Sequence, residues 1–211
     1  MKDKIEKIEL LVETYQKHMR KLLEEHPNKE LVEKELQHIE EFTDFRNALM
    51  YESDRGCVLM SAAFIEDKIT QLLKTYMIQD LKKQKDIFEG NGALGTFSSK
   101  IDIAFLLGLI PKNILNDLHI LRRIRNDFAH NAKPITFTTD YVKDRCNALQ
   151  VVNKEALRDD TKAYFLRSMT TILTYVNMKM DTFEKCTEEN EFDPSILNNG
   201  MSRIIDKIIK E

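Results

Sequence analysis

The chain has 211 residues, 42% hydrophobic and 32% charged, with a net charge of −3. That length fits one domain with appended helices and buries roughly 70% of the unfolded surface, so neither a metal nor a disulfide is needed to hold it together. The acidic balance argues against a dedicated nucleic-acid binder, whose affinity rests on phosphate contacts, and without a long apolar run no transmembrane helix is expected.

Six Gly and four Pro favour long helices over many short strands. Residues 3–25 place Ile5, Ile8, Val12, Tyr15, Met19 and Leu22 at alternating steps of three and four, the a/d seam of a heptad pattern. Pro27 ends this segment, and a second helix is expected over 28–47 with Val32, Leu36, Ile39 and Phe42 inward. The hairpin of 1–47 either packs on the rest of the chain or offers its seam to a partner or a second copy. A third helix is expected over 48–80, with Val58, Ala62, Ile65, Ile69, Leu72 and Tyr76 on one arc.

Three glycines within Gly90–Gly95 mark a loop. It lacks the Lys-Ser/Thr and the preceding strand of a phosphate cradle. Thr96 or Ser98 then caps a helix over 99–109, and Pro111 opens the next, which runs to His130. Thr136–Thr139 reads as a β-prone connector. Helices follow over 140–157 and 161–185, the latter with Phe165, Met169, Ile172, Val176 and Phe183 in phase, and Asp193-Pro194 opens a short last helix with Ile204, Ile205 and Ile208. The sum is an all-α, multi-helix bundle of about eight helices: a hairpin over 1–47, a core over 48–185 and an extension over 186–211.

Four features bear on chemistry. Arg125 and His130 stand five apart, with Asn126 beside the arginine. With Ile114 set at 0°, Leu118 falls at about 40°, Leu121 at about 340°, Phe128 at about 320° and Arg125 at about 20°. Arg125 is therefore expected inside the apolar stripe, where a guanidinium requires a carboxylate or an interface. His130 sits at a helix C-terminus, which favours its protonated form. In Glu52-Ser53-Asp54-Arg55-Gly56, the charges flanking the core are expected to be paired, with Asp54 or Glu52 as counter-ion to Arg125. Gly56 within a helix suggests close approach of another helix.

A helix-turn-helix over 104–121 fails on phase, because Ile110 and Leu115 would have to face bases and Asp117 would repel phosphate. Direct DNA reading is not expected. Basic residues cluster as Lys82, Lys83 and Lys85, and as Lys112, Arg122 and Arg123, which fit a solvated face. Cys57, Cys146 and Cys186 form no Cys-x-x-Cys pair and read as reduced thiols of a cytoplasmic protein. No metal centre or cofactor is expected.

The segments Glu52–Gly56, Phe88–Gly90, Leu94–Ser98, Lys100–Ile101, Leu107–Ile110, Ile124–His130 and Asp144–Cys146 together resemble the mannitol operon repressor (MltR, also written MtlR) family, in order over about half the chain. The resemblance implies an all-helical, non-enzymatic regulator that represses mannitol uptake genes through a protein partner. The longer N-terminal helix and the segment after Cys186 depart from the family pattern, which leaves the partner open among a regulator, a transporter component and a toxin. The Arg-x4-His spacing also resembles the HEPN-type ribonucleases, which implies a second reading: metal-independent RNA cleavage by Arg125 and His130 in a dimer, with Asn126 orienting the phosphate. Recruitment as an immunity or antitoxin protein is a third.

Overall fold

A computed structural model describes residues 29–153 and 160–182, together with Thr14, Lys17, His18, Arg20 and Lys21. Among them are seven helices and no strand: α1 (Lys29–Met50), α2 (Asp54–Tyr76), α3 (Leu81–Phe88), α4 (Phe97–Leu106), α5 (Lys112–His130), α6 (Asp140–Asn147) and α7 (Thr161–Thr182). The all-helical class read from the sequence is the observed one. The seam from Ile5 to Leu22, the segment after Thr182 with Phe183, and the side chains of Val32, Ile39 and Phe42 lie outside the described residues; Leu36 is half-buried.

The apolar period runs unbroken across residues 48–58, yet the chain turns at Tyr51–Ser53. Ser53 stops the continuation because its Oγ accepts from Gly56 N at 3.1 Å and starts a new helix. The central helix is therefore α2, which packs on α1, α4, α5 and α7. It buries Val58, Ala62, Ile65, Ile69 and Leu72 as predicted, with Tyr76 at the edge of the core. On α7, Phe165, Met169, Ile172 and Val176 face inward. The α1 face adds a polar link to its apolar contacts. Lys68 donates to Glu41 at 2.7 Å beside the stacked rings of Phe45 and Phe64.

Three helices end earlier than the periodicity suggests: α2 stops at Tyr76, not at residue 80, and α4 and α6 close early as well. For α4, Gly108 at φ +69° takes the left-handed position, so Leu109 N reaches Ala104 O and Gly108 N reaches Phe105 O, both at 2.9 Å. Thr96 caps the other end of α4 by accepting from Ser99 N. The predicted helix over 140–157 closes at Asn147 because the following turn is captured elsewhere. Gln150 N donates to both oxygens of Asp117, each at 2.9 Å, and Val151 N to Oδ2 at 3.0 Å. Asp117 is fully buried, not displayed at the surface as the helix-turn-helix reading supposed. Tyr164 holds the same turn from α7, its hydroxyl donating to Leu149 O and Val152 O, both at 3.0 Å.

Candidate partner-binding site

Three of the segments that carried the family resemblance, Glu52–Gly56, Ile124–His130 and Asp144–Cys146, meet at the C-terminal end of α5. From the start of α2, Arg55 Nη2 donates to Asn131 O at 2.8 Å. Asn131 is the residue that ends α5; its own side chain caps Lys133 N at 3.1 Å and donates to the Tyr141 hydroxyl at 3.3 Å. Asp54 Oδ2 accepts from Phe137 N at 3.0 Å, and its Oδ1 lies 3.5 Å from Lys162 Nζ. Lys162 also donates to Glu52 O at 2.6 Å. The connector between α5 and α6 is thereby pinned to α2 and α7. Its Phe137 ring fills the space between Phe128 and Phe165, with ring centroids 5.9 and 5.1 Å away.

Of the residues expected as a polar cluster, Asp54 and Arg55 bind the connector after α5, Glu52 binds Lys162 through its backbone carbonyl, and Arg125 bonds to none of them. Arg125 is exposed and donates to Asn126 Oδ1 at 3.1 Å, while the Asp54 carboxylate is engaged by Phe137 and Lys162. The helical wheel misplaces Arg125 because α5 changes neighbours along its length. His119 and Asp102 meet at 3.0 Å and Lys112 lies over the Phe105 ring, so the ten-residue α4 runs antiparallel to α5 and is too short to cover all nineteen residues. Near its start α5 buries Ile114, Leu115 and Leu118; toward the other end burial narrows to Leu121, Ile124 and Phe128, at about 340°, 280° and 320°. Arg125, at about 20°, lies outside that narrower arc and is exposed.

His130 and Asn126 are exposed as well. The missed partner of this helix end is Asp127, ion-paired with Arg145 of α6. Arg145 also donates to Arg123 O at 3.4 Å and lies 5.8 Å from the Tyr141 ring centroid. Asp127 and Arg145 both sit in the segments quoted for the resemblance, but only tertiary packing reveals that they meet.

Other expectations change too. A side chain at Gly56 would meet Glu52 and Ser53 of its own turn, not another helix. Lys112 stands ten residues before Arg122, about 15 Å along the helix, so it does not join Arg122 and Arg123 in one patch. Lys82, Lys83 and Lys85 are exposed on α3. Ile110 and Leu115 are buried, so the turn between α4 and α5 turns its would-be base-reading positions inward. Burial pushes the Cys57 thiol up to about 11, with Lys162 drawing it partly back, and the Cys146 thiol up to about 12. Neither is a nucleophile in the folded protein. Among the described residues no group of three His, Cys, Asp or Glu side chains is placed to hold a metal ion, and no helix is long and apolar enough to cross a membrane.

A family model described as mannitol repressor, MtlR, matches residues 50–186. The chain belongs to the mannitol repressor family. Within the solved structures, a chain in the X-ray structure of the MtlR–HPr complex from Escherichia coli is similar to it, with TM-score 0.54 at 17% identity, covering 64% of this chain and 99% of the other. The curated proteins give no match. All the convergent residues around α5, from Glu52 to Lys162, lie within the span matched by the mannitol repressor model. Most of α1 lies outside it.

Proposed function

We propose that this protein is a non-enzymatic regulator of the mannitol repressor kind, acting in the cytoplasm by binding another protein. Membership of the family over residues 50–186 carries this reading. The fold it shares with a chain of the Escherichia coli MtlR–HPr complex makes HPr the first partner to test. The division into a hairpin over 1–47, a core over 48–185 and an extension over 186–211 belongs to the same reading, with the seam from Ile5 to Leu22 as a second contact or a homodimer surface. Calorimetric titration of the full chain with HPr is expected to give saturable, stoichiometric binding. No heat at concentrations up to about a millimolar, the weak end of specific binding, refutes HPr as the partner.

One observation favours a second reading. Arg125, Asn126 and His130 are open to solvent at one helix end, and a metal-independent ribonuclease of the HEPN type would need them so. His can move a proton near neutral pH and Arg can stabilise phosphorane charge. If the protein is such an enzyme, it degrades RNA in the presence of a chelator and His130→Ala abolishes this with the fold intact. If it is a regulator, RNA stays whole in both preparations.

A further inference from the structure

The outward face of the C-terminal half of α5 carries positive charge that nothing in the described chain neutralises. Arg122 is half-buried, and Arg123, Arg125 and His130 are exposed. Among the described residues none of these four meets a carboxylate. Arg125 donates to the Asn126 amide oxygen, and the buried Nε of Arg122 has no acceptor. The carboxylate placed one turn after Arg123 is Asp127, and Arg145 takes it from α6. At 100° per residue Arg125, Arg122, Asn126, His130 and Arg123 fall at about 20°, 80°, 120°, 160° and 180°, so the cations fan over one half of the helix.

Helix polarity explains only part of this. The dipole favours cations at a C-terminus but fades within the last turn. Arg122, Arg123 and Arg125 stand five to eight residues before the end of α5, beyond that reach. Composition does not explain it either, since the chain as a whole is acidic. Soluble surfaces ordinarily intersperse the two signs, and this one does not.

We propose that this face docks a carboxylate-rich surface of a partner protein. The proposal rests on the reading that the chain works by binding a protein. Guanidinium forks match carboxylates in bidentate geometry, and arginine is enriched where interfaces hold tightest. The mount is fixed in advance: the Asp127–Arg145 pair braces the helix against α6, and Arg55 holds its last carbonyl, so little ordering is left for the moment of contact. A nucleic acid fits less well. The aromatic ring beside the face, Tyr141, already lies close to Arg145 and has its hydroxyl bonded by Asn131, and a single such ring is less than the row of aromatics that stacks successive bases.

The test uses the full chain with deca-glutamate and decauridylate as probes, followed by amide NMR shifts and by affinity at several salt concentrations. The proposal expects the peptide to move resonances of 122–130, to bind more weakly as salt rises, and to bind better than the RNA. Combined Arg122→Glu, Arg123→Glu and Arg125→Glu weakens the peptide roughly tenfold, whereas Lys82→Glu, Lys83→Glu and Lys85→Glu does not. If the triple reversal on α5 fails to fold, Arg123→Gln with Arg125→Gln, both at exposed positions, takes its place with a smaller loss in the same direction. Equal loss from the α3 reversals, shifts elsewhere, or tighter binding of the RNA overturns the proposal. HPr binding is measured on the same preparations: its absence counts against the proposed function, while its persistence alongside failed peptide binding counts only against this docking face.

Discussion

Removing the Asp117 side chain is expected to unfold this protein at a markedly lower temperature. Asp117→Ala leaves Gln150 N and Val151 N without their acceptor in the turn that closes α6. Both bonds are part-buried, with Gln150 itself exposed, so each orphaned donor costs about 1 kcal/mol, the low end for an unpaired donor, and the pair about 2 kcal/mol. That is a sizeable part of the roughly 5–15 kcal/mol that holds a domain folded, and at about 2–4 °C per kcal/mol for a chain of this size the midpoint falls by about 4–8 °C. Asp117→Asn keeps one oxygen and is expected to lose less. The pH dependence separates the charge from the hydrogen bonds. Burial raises the Asp117 carboxyl above its usual 3.8, and its backbone donors only partly counter this. A carboxyl raised in the native state binds more protons there than in the unfolded chain. Its titration therefore contributes stability that is present below the unfolded value and lost as pH rises through the raised one. Urea unfolding of wild type and Asp117→Asn at a series of pH values should show the wild type's advantage shrinking as pH rises through that window. An advantage that grows instead means that the donors outweigh burial, and the reasoning fails.

Three further outcomes follow from the geometry. Gly92→Ala pushes a methyl into the backbone carbonyls of Asp86 and Ile87 and is expected to destabilise by about 1–3 kcal/mol, whereas at Gly56→Ala the flexible Glu52 side chain can step aside and the helix gains up to about 1 kcal/mol; thermal melts of both distinguish them. A double-mutant cycle of Asp54→Asn with Arg125→Gln should give coupling within about 0.5 kcal/mol of zero, while Asp54→Asn with Lys162→Met couples by more, at about 0.5–3 kcal/mol. Cys57 and Cys146, buried and with thiols pushed up to about 11 and about 12, should react with a thiol reagent at neutral pH only as fast as the protein opens, which a labelling time course against urea concentration measures.

Local signals were the legible ones. Pro111, the run to His130, the Thr96 cap and the glycine loop each fixed a boundary through chemistry confined to a few neighbours. The short α3 escaped notice because its eight residues bury only Gln84 and Phe88, too few to set a period. The end of α6 was hidden because it is decided by Asp117, more than thirty residues earlier. At the site, the sequence pointed to charges beside the core at Asp54 and Arg55, and both prove engaged. Their partners proved to be a backbone N–H, a carbonyl and Lys162, where the sequence suggested Arg125. A helical wheel assumes the same buried arc along a whole helix, and that of α5 narrows before it reaches Arg125.

The short stretch at the head of α2 ties the chain to itself across long intervals. Its bonds reach positions 76, 83 and 110 residues away. Chain-closure entropy rises only with the logarithm of loop length, so the longest of these loops is barely harder to shut than the shortest. Their cost is therefore nearly the same, and a segment that looks like a simple helix start serves as a clasp: the connector between α5 and α6 cannot swing away from the body while it stays shut.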